Sequence, residues 1–361
     1  MDQRDHWLER WITRMKIAGI AACVVAGMLV FAPHSVHAQS GTIEWRKSTP
    51  FPEPRADCAT GVIDGRLIMA GGTYWEGTKG NWVKKHFSKS AHAFDPGSEQ
   101  WEQLPDAPTP FSGAASTVID DRLYVLGGYT GEQESRQILV LAKVGGHFEW
   151  SQAGELPDTR LFAWAGAVGK SIYWLGGVRR FEPMDAKGTC CTSATGTSQL
   201  MVLNTSSPPS HWEERCPYPG GKRWLFAAAT DGKSIWMLGG RDSDTPQQEP
   251  IVYDEILEYS ITKNTWHARP PLPREVAATA PLTPVYRDGH LLLVSFFKTI
   301  WKLDLQTNEY SQETPLPEEA MVDRFFWIDG QLVGAGGENK IESPRRRSEW
   351  TFIGRVQGAA P

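Results

Sequence analysis

The chain has 361 residues, with 37 Lys and Arg against 42 Asp and Glu, and a formal net charge of −5. This acidic balance disfavours nucleic-acid binding, which needs a basic face. The 35 glycines and 25 prolines indicate a turn-rich, all-β protein, and the length is ample for a large core.

Residues 1–38 have the layout of a secretory signal peptide. Arg4, Arg10, Arg14 and Lys16 precede an apolar run over 17–32, and Val36-His37-Ala38 offers a cleavage site of small residues. The run is shorter than the roughly 20 residues that a membrane-spanning helix needs, so a membrane anchor is the less favoured alternative. We expect a periplasmic or secreted protein with no stable membrane insertion after cleavage. Cleavage removes four of 37 basic and three of 42 acidic residues, which leaves a net charge of −6.

An apolar stretch that ends in a glycine pair, or in a remnant of one, then recurs six times. These stretches cover 67–72, 123–128, 172–177, 235–240, 292–296 and 332–337. Their spacing is near the roughly 50-residue period of kelch repeats. One repeat cannot bury its own apolar face, whereas a closed ring of repeats can, so the pattern predicts a single-domain β-propeller.

Each repeat also carries a tight turn and an aromatic residue. Turn dipeptides such as Asp64-Gly65 and Asp329-Gly330 precede the glycine stretches and are typical of hairpins. After the glycines come a variable loop, a third strand and a fourth strand with one aromatic residue: Trp101, Trp150, Trp212, Trp266 and Tyr310. These large apolar side chains suit packing between blades, so we interpret them as structural rather than as a carbohydrate platform.

The last repeat lacks a fourth strand, and the N-terminal segment supplies a spare one. Trp45, within 42–46, stands one repeat ahead of Trp101, and only five residues follow the third strand at 350–356. We therefore predict an all-β, six-bladed kelch-type propeller over 42–356, whose last blade is closed by the N-terminal strand. Such closure leaves few unpaired strand edges.

The loops after the glycine pairs should share one face with the segments that link successive blades. The linkers carry Arg55, Arg160, Arg223, Arg274 and Arg324, of which most are expected to be structural. The same face holds further cationic and aromatic residues: Trp75, Trp82, Lys84, Lys85, His86, Arg179, Arg180, Trp224, Arg241, Lys340, Arg345, Arg346 and Arg347. A basic face on an acidic protein favours an anionic small ligand, because guanidinium groups match carboxylates; solvated surface charge is the alternative.

Four cysteines remain after cleavage: Cys58, Cys190, Cys191 and Cys216. In an exported protein, Cys190 or Cys191 can form a disulfide with Cys216, and unpaired thiols are an equal alternative. The spacing does not match a zinc site, and we predict neither a metal nor a cofactor.

The last loop resembles that of the sialic acid mutarotases, also called N-acetylneuraminate epimerases, which are periplasmic six-bladed kelch propellers. The resemblance rests on Gly336-Gly337-Glu338-Asn339-Lys340 followed by Pro344-Arg345-Arg346. It continues in the long loop that begins Ala70-Gly71-Gly72-Thr73-Tyr74-Trp75 and in Gly127-Gly128-Tyr129-Thr130-Gly131. The glutamate lies in the last blade rather than in mid-chain, which resembles a cyclically permuted branch of that family.

The resemblance implies interconversion of sugar anomers by acid–base catalysis without a cofactor. Glu338 would be the general base, and Arg345 or Arg346 would hold the sugar carboxylate or stabilise developing charge. The predicted substrate-binding residues are Lys340, Trp75, Trp82, Lys84 and Arg179. Two features depart from the family pattern: the interval from Glu338 to Arg345 is one residue longer, and the fifth blade has Ser295-Phe296 in place of its glycine pair.

Two other functional classes share this fold. A non-catalytic kelch module that binds a glycan or a protein would differ only in the last loop. A copper radical oxidase needs two histidines and two tyrosines at its metal, and here the nine histidines are scattered along the chain, so we disfavour that reading.

Overall fold

The computed structural model describes residues 36–37, 42–78, 81–178, 196–206, 211–242, 252–277, 282–295, 298–339 and 346–357. At 36–37, 77–78, 81–83 and 346 only the backbone is described. These residues form six antiparallel sheets of the propeller type, which confirms the predicted fold class. None of the helices within the described residues is long and apolar enough to cross a membrane.

Two short N-terminal strands precede the blades and join sheets formed by later parts of the chain. They are β1 (Val36–His37) and β2 (Ile43–Lys47). Blade 1 follows, with a hairpin inserted between its second and third strands. Its elements are β3 (Ala59–Ile63), β4 (Arg66–Ala70), the hairpin β5 (Thr73–Thr78) and β6 (Asn81–Phe87), then β7 (Ala91–Asp95) and β8 (Gln100–Leu104).

Blades 2 to 4 repeat the four-stranded pattern. Blade 2 contains β9 (Ala115–Ile119), β10 (Arg122–Leu126), β11 (Gln137–Val144) and β12 (His147–Glu155). Blade 3 contains β13 (Trp164–Val168), β14 (Ser171–Leu175), β15 (Leu200–Asn204) and β16 (Trp212–Arg215). Blade 4 contains β17 (Ala227–Thr230), β18 (Ser234–Leu238), β19 (Ile256–Ser260) and β20 (Thr265–Arg269), and a single helical turn, α1 (Arg274–Ala277), follows it.

Blades 5 and 6 complete the ring. Blade 5 contains β21 (Leu282–Arg287), β22 (His290–Ser295), β23 (Ile300–Asp304) and β24 (Tyr310–Glu313), with β1 added in parallel along β24. Before blade 6 lies β25 (Ala320–Met321). Blade 6 contains β26 (Phe325–Ile328), β27 (Gln331–Ala335) and β30 (Thr351–Val356), and between the last two lie β28 (Glu338–Asn339) and β29 (Arg346–Arg347).

The N-terminal strand closes blade 6, as predicted. β2 pairs antiparallel with β30 in the register Ile43↔Val356 to Lys47↔Phe352 and so becomes the fourth strand. Trp45 packs against Phe325 at 5.6 Å between ring centroids, and its indole N–H donates to the carbonyl of Thr314 at 3.0 Å. The first and last described parts of the ring thus share one sheet.

The repeated tryptophans join each blade to the segment before it. The indole N–H of Trp101 donates to the carbonyl of Thr49 at 3.1 Å, and that of Trp150 donates to the carbonyl of Pro105 at 2.8 Å. Trp212 and Trp266 bond in the same way to Glu155 and Cys216. This pattern confirms their structural role, because each aromatic ring packs between blades while its polar atom is satisfied.

Buried apolar clusters lie at each junction between neighbouring blades in the described part of the chain. The cluster between blades 6 and 1, for example, contains Phe51, Met69, Phe94, Val333 and Ile353. Five equivalent clusters join the other neighbouring pairs. The core is therefore a ring of interfaces rather than one central mass, as expected for repeats that bury their faces against neighbours.

The loops after the glycine pairs and the linkers before each blade lie on one face, as predicted. Backbone bridges join the two sets: Ala56↔Thr73, Ser112↔Tyr129, Leu161↔Val178 and Trp224↔Arg241. We call this side of the propeller the loop face. Cys58 is buried there without a disulfide in the described structure, whereas Cys190 and Cys191 lie outside the described residues.

Candidate functional site

A small three-stranded sheet rises from the loop face where blade 6 meets blade 1. In it, β28 pairs with β25 on one side and with β29 on the other. Gly337, at φ 84°, immediately precedes β28, and a Cβ atom there would lie 1.7 Å from the carbonyl oxygen of Met321. Only glycine allows so close an approach of two backbones, and the chain can therefore leave the blade and present the next residue, Glu338.

Glu338 and Arg347 lie directly opposite each other in this sheet and form an ion pair. The Arg347 guanidinium also donates to the Thr73 hydroxyl at 2.5 Å and lies 3.7 Å from an Asp57 carboxylate oxygen. The Arg347 side chain is only 6% exposed and that of Glu338 19% exposed. The nearly buried Arg347 cation thus contacts two oxygen atoms from blade 1 and one from blade 6. Because a buried charge is costly unless it is paired, these contacts are important for the stability of the site.

Asp323 supports this arrangement from the linker before blade 6. Its two carboxylate oxygens accept the backbone N–H groups of Asp57 and Cys58, each at 3.0 Å, and Asp57 has a left-handed backbone with φ 62°. Burial, and next the negative charge of Asp57, raise the pKa of Asp323 to about 7. Burial also raises the pKa of the Cys58 thiol, with Asp323 as the second cause. The site therefore contains one carboxyl group that can gain or lose a proton near neutral pH.

The β5–β6 hairpin borders the Glu338–Arg347 pair. Thr73 and Trp75 lie opposite Phe87 and Lys85 in its register, so these four side chains share one face. The Lys85 ammonium lies 5.8 Å from the Trp75 ring centroid, and Phe87 packs edge-on against Tyr129 of the next blade at 5.4 Å. Because Thr73 on this face bonds Arg347, the hairpin presents aromatic and cationic groups beside the ion pair.

The other face of the hairpin carries a separate contact. His86 bonds the Glu76 carboxylate at 2.9 Å and stacks on Tyr74 at 4.9 Å. Lys84 lies opposite Glu76 and is exposed. The predicted substrate-binding residue Lys84 is thus on the opposite face from Trp75.

The other residues predicted for the site divide into two groups. Arg346 and Trp82 are described in backbone only, where they pair with Asn339 and Gly77 respectively. Lys340, Arg345 and Arg179 lie outside the described residues. The structure thus brings together Glu338 and Trp75 of the predicted set, and it adds Arg347, Thr73, Asp57, Asp323 and Lys85.

Three linker arginines are structural, as expected. Arg55, Arg160 and Arg223 are 0%, 1% and 0% exposed. Arg55 bonds Ser88 at 2.6 Å, Arg160 pairs with Asp158 at 2.9 Å, and Arg223 pairs with Glu255. Each of these guanidinium groups thus binds side chains of the protein itself. No group of three or more metal-binding side chains occurs among the described residues.

Comparisons with known proteins agree with this architecture. The kelch motif model matches residues 54–108 and 110–141. The chain is similar to Kelch-like protein terF of Aspergillus terreus, with 29% identity over 245 residues, which cover 63% of this chain and 48% of that protein. It is also similar to Beta-scruin of Limulus polyphemus, with 27% identity over 218 residues, 58% of this chain and 22% of that protein.

A shorter match connects the chain with an enzyme. N-acetylneuraminate epimerase of Pasteurella multocida is 32% identical over 121 residues, which cover 32% of this chain and 20% of that protein. The chain spans less than half of the length of each of these three relatives.

Proposed function

The chain is a kelch-repeat protein, and we propose that it is an exported mutarotase that interconverts the anomers of N-acetylneuraminate or a related acidic sugar. The observation that carries the proposal is the Glu338–Arg347 pair, which projects from the loop face beside the aromatic hairpin. The partial similarity to N-acetylneuraminate epimerase supports the same activity. Export rests on the leader-like sequence of residues 1–38.

The chemistry needs one proton acceptor and one anion-binding group. To open the sugar ring, the anomeric hydroxyl proton passes to the Glu338 carboxylate, the bond from the anomeric carbon to the ring oxygen breaks, and the ring oxygen takes a proton from solvent. Reclosure on the other face of the carbonyl reverses these transfers and gives the other anomer. General-base catalysis of this kind needs no cofactor.

We assign the sugar carboxylate to Arg347. Its guanidinium can bind a carboxylate with two parallel hydrogen bonds. An acidic sugar that engages Arg347 would compete with Glu338 for it, and the Glu338 carboxylate would accept the anomeric proton. Trp75, on the adjoining hairpin face, offers an apolar surface for the sugar ring.

Replacement of Glu338 by glutamine tests the proposal. Glu338→Gln keeps the size and hydrogen bonding of the side chain but removes the base, so anomer exchange of N-acetylneuraminate, measured by NMR, should fall by roughly 10²–10⁴. Glu76→Gln is the matched control, because Glu76 lies on the other face of the hairpin and bonds His86. It should leave exchange unchanged, and circular dichroism should show both variants folded.

The arginines of the last loop are tested in the same assay. Arg347→Gln should weaken binding of acidic sugars more than that of neutral ones. Arg345→Ala and Arg346→Ala show whether these two neighbouring arginines also contribute to binding.

Full activity in folded Glu338→Gln would remove the catalytic assignment. If the wild-type protein accelerates no exchange of any reducing sugar, the chain is instead a glycan- or protein-binding module, a reading favoured by its similarity to Kelch-like protein terF and Beta-scruin.

A further inference from the structure

The centre of the ring contains a cavity of about 350 Å³. It is lined by the first strand of each blade, β3, β9, β13, β17, β21 and β26, or by residues next to them. Small residues such as Gly61, Ala165 and Ala228 leave the space open. The volume lies within the usual range of small-molecule pockets, roughly 300–1,000 Å³.

Arg324 is the one residue with a formal charge among those that line this cavity in the described structure. It precedes β26 and is half-buried. Its guanidinium donates to the carbonyl of Ser116, in blade 2, at 3.1 Å and lies 5.8 Å from the Phe326 ring centroid. Burial lowers the pKa of Arg324 to about 10. A guanidinium has five N–H donors, so one carbonyl leaves most of them available.

Arg324 differs from the three buried linker arginines in having no counter-charge in the described structure. Arg55 lies 3.2 Å from Glu53, Arg160 lies 2.9 Å from Asp158, and Arg223 pairs with Glu255. Across the described residues, no carboxylate lies within ion-pair distance of Arg324. Arg324 is thus a half-buried cation on the wall of the cavity, and its guanidinium can accept an anionic group of a ligand as its counter-ion.

The rest of the cavity wall suits an apolar body. Trp164, Tyr286 and Trp327 contribute aromatic rings, and the Trp164 ring lies so close over Gly166 that a Cβ atom there would be 2.1 Å from it. The indole nitrogens of Trp164 and Trp327 are buried without a hydrogen-bond partner in the described structure. A ligand for this site would therefore carry one anionic group and a compact apolar or ring-shaped remainder.

We propose that the central cavity binds a small organic carboxylate, with its carboxylate on Arg324 and its body among the aromatic side chains. The inference does not depend on the mutarotase activity, because the residues that carry it are separate from Glu338 and Arg347. It adds a second anion-binding position on the axis of the ring.

The test compares benzoate with its uncharged analogue benzamide on the full chain, by titration calorimetry or ligand-detected NMR. Benzoate should bind about 10–100-fold more tightly, which corresponds to the worth of a hydrogen bond to a charged group. Arg324→Gln should reduce benzoate affinity to the level of benzamide. Arg287→Gln is the matched control: Arg287 stacks on Trp327 at 4.2 Å but pairs with Asp288 and does not line the cavity.

The outcomes separate this proposal from the mutarotase proposal. Glu338→Gln should leave benzoate binding unchanged, since that residue lies in the small sheet of the loop face. Equal binding of benzoate and benzamide, absence of binding at millimolar concentration, or an unaltered benzoate affinity in folded Arg324→Gln would each overturn the proposal. If Arg324→Gln does not fold, the contrast between benzoate and benzamide on the wild-type protein decides, with Arg324→Lys as the charge-conserving variant.

Discussion

Asp323 joins the linker of blade 6 to blade 1 through its bonds to the backbone N–H groups of Asp57 and Cys58. Its carboxyl group has a pKa of about 7 because it is buried beside the charge of Asp57. An aspartate in an unfolded chain releases its proton near pH 4. The folded protein therefore binds more protons than the unfolded chain between about pH 4 and 7, and this group's contribution to stability is complete below that window and lost as the pH rises through it.

Asp323→Asn should remove that pH dependence. The variant cannot titrate, so its melting temperature relative to the wild type should be higher at pH 8 than at pH 5, with a change of at most about 3 kcal/mol in relative stability. One lost acceptor lowers its stability at all pH values by about 1 kcal/mol, which does not alter the slope. Asp288→Asn, in an exposed turn, is the control. If the difference in melting temperature between wild type and Asp323→Asn is the same at every pH from 5 to 8, Asp323 is ionised throughout this range.

At the scale of residues, the sequence analysis singled out Glu338 but not Arg347, which lies opposite it and forms the ion pair. The glycine pair before Glu338 is a repeat feature, so the position of Glu338 on the loop face followed from the pattern. Any of the three consecutive arginines at 345–347 could lie opposite Glu338. The choice depends on the register between β28 and β29, which have two residues each, and a hydrophobic pattern cannot fix the register of such short strands. Asp57 and Asp323 were missed because their proximity arises from the contact of the first and last blades.

At the scale of elements, the strand pattern was predictable because it repeats. The prediction that β2 completes blade 6 came from counting the aromatic residues of the fourth strands, and the structure confirms it through the β2–β30 pairing. The segment after Gly72 was expected to be a variable loop, whereas it forms the β5–β6 hairpin. Its aromatic and β-branched residues favour strands, and the kelch pattern carries no information about an insertion.

Deletion of residues 39–48 should destabilise the whole ring. The deletion removes the fourth strand of blade 6, the hydrogen bond from Trp45 to Thr314 and the contact with Phe325. It also leaves β30 as an unpaired edge. We expect a lower melting temperature for the entire domain in calorimetry. Lys47→Ala removes an exposed ion pair with Glu318 and an ammonium that lies 5.5 Å from the Trp350 ring centroid, and it should change stability by about 1 kcal/mol or less. An unchanged melting temperature in the deletion variant would contradict closure by this strand.

At the scale of the molecule, each blade contacts its two neighbours through a buried apolar cluster, and the last blade contacts the first in the same way. The free energy of folding is therefore spread around the ring. The two ends of the propeller also meet, since the N–H of Gln357 donates to the carbonyl of Thr42 at 2.7 Å. The stability of the ring should then depend little on where the chain begins and ends. A short linker from 357 to 42 should preserve every interface between blades.

This reasoning predicts that the ring tolerates a new opening if one blade is still shared between the two ends. A permutant that is joined from 357 to 42 and opened between Gly145 and Gly146 begins with β12, the fourth strand of blade 2, and ends with β11, its third. Both glycines lie in a turn where an added Cβ would meet nothing within 4 Å. Blade 2 would then be closed by the N-terminal strand, as blade 6 is in the natural order.

The matched control is the same joined chain opened between Pro105 and Asp106, in the linker from blade 1 to blade 2. That opening leaves every blade made of consecutive strands, so no sheet hydrogen bonds hold the two ends together. The first permutant should melt cooperatively within a few degrees of the wild type and keep its near-ultraviolet circular dichroism, whereas the control should melt at a lower temperature. Equal stability of the two permutants would mean that the apolar clusters alone hold the ring closed and that the shared blade adds nothing measurable.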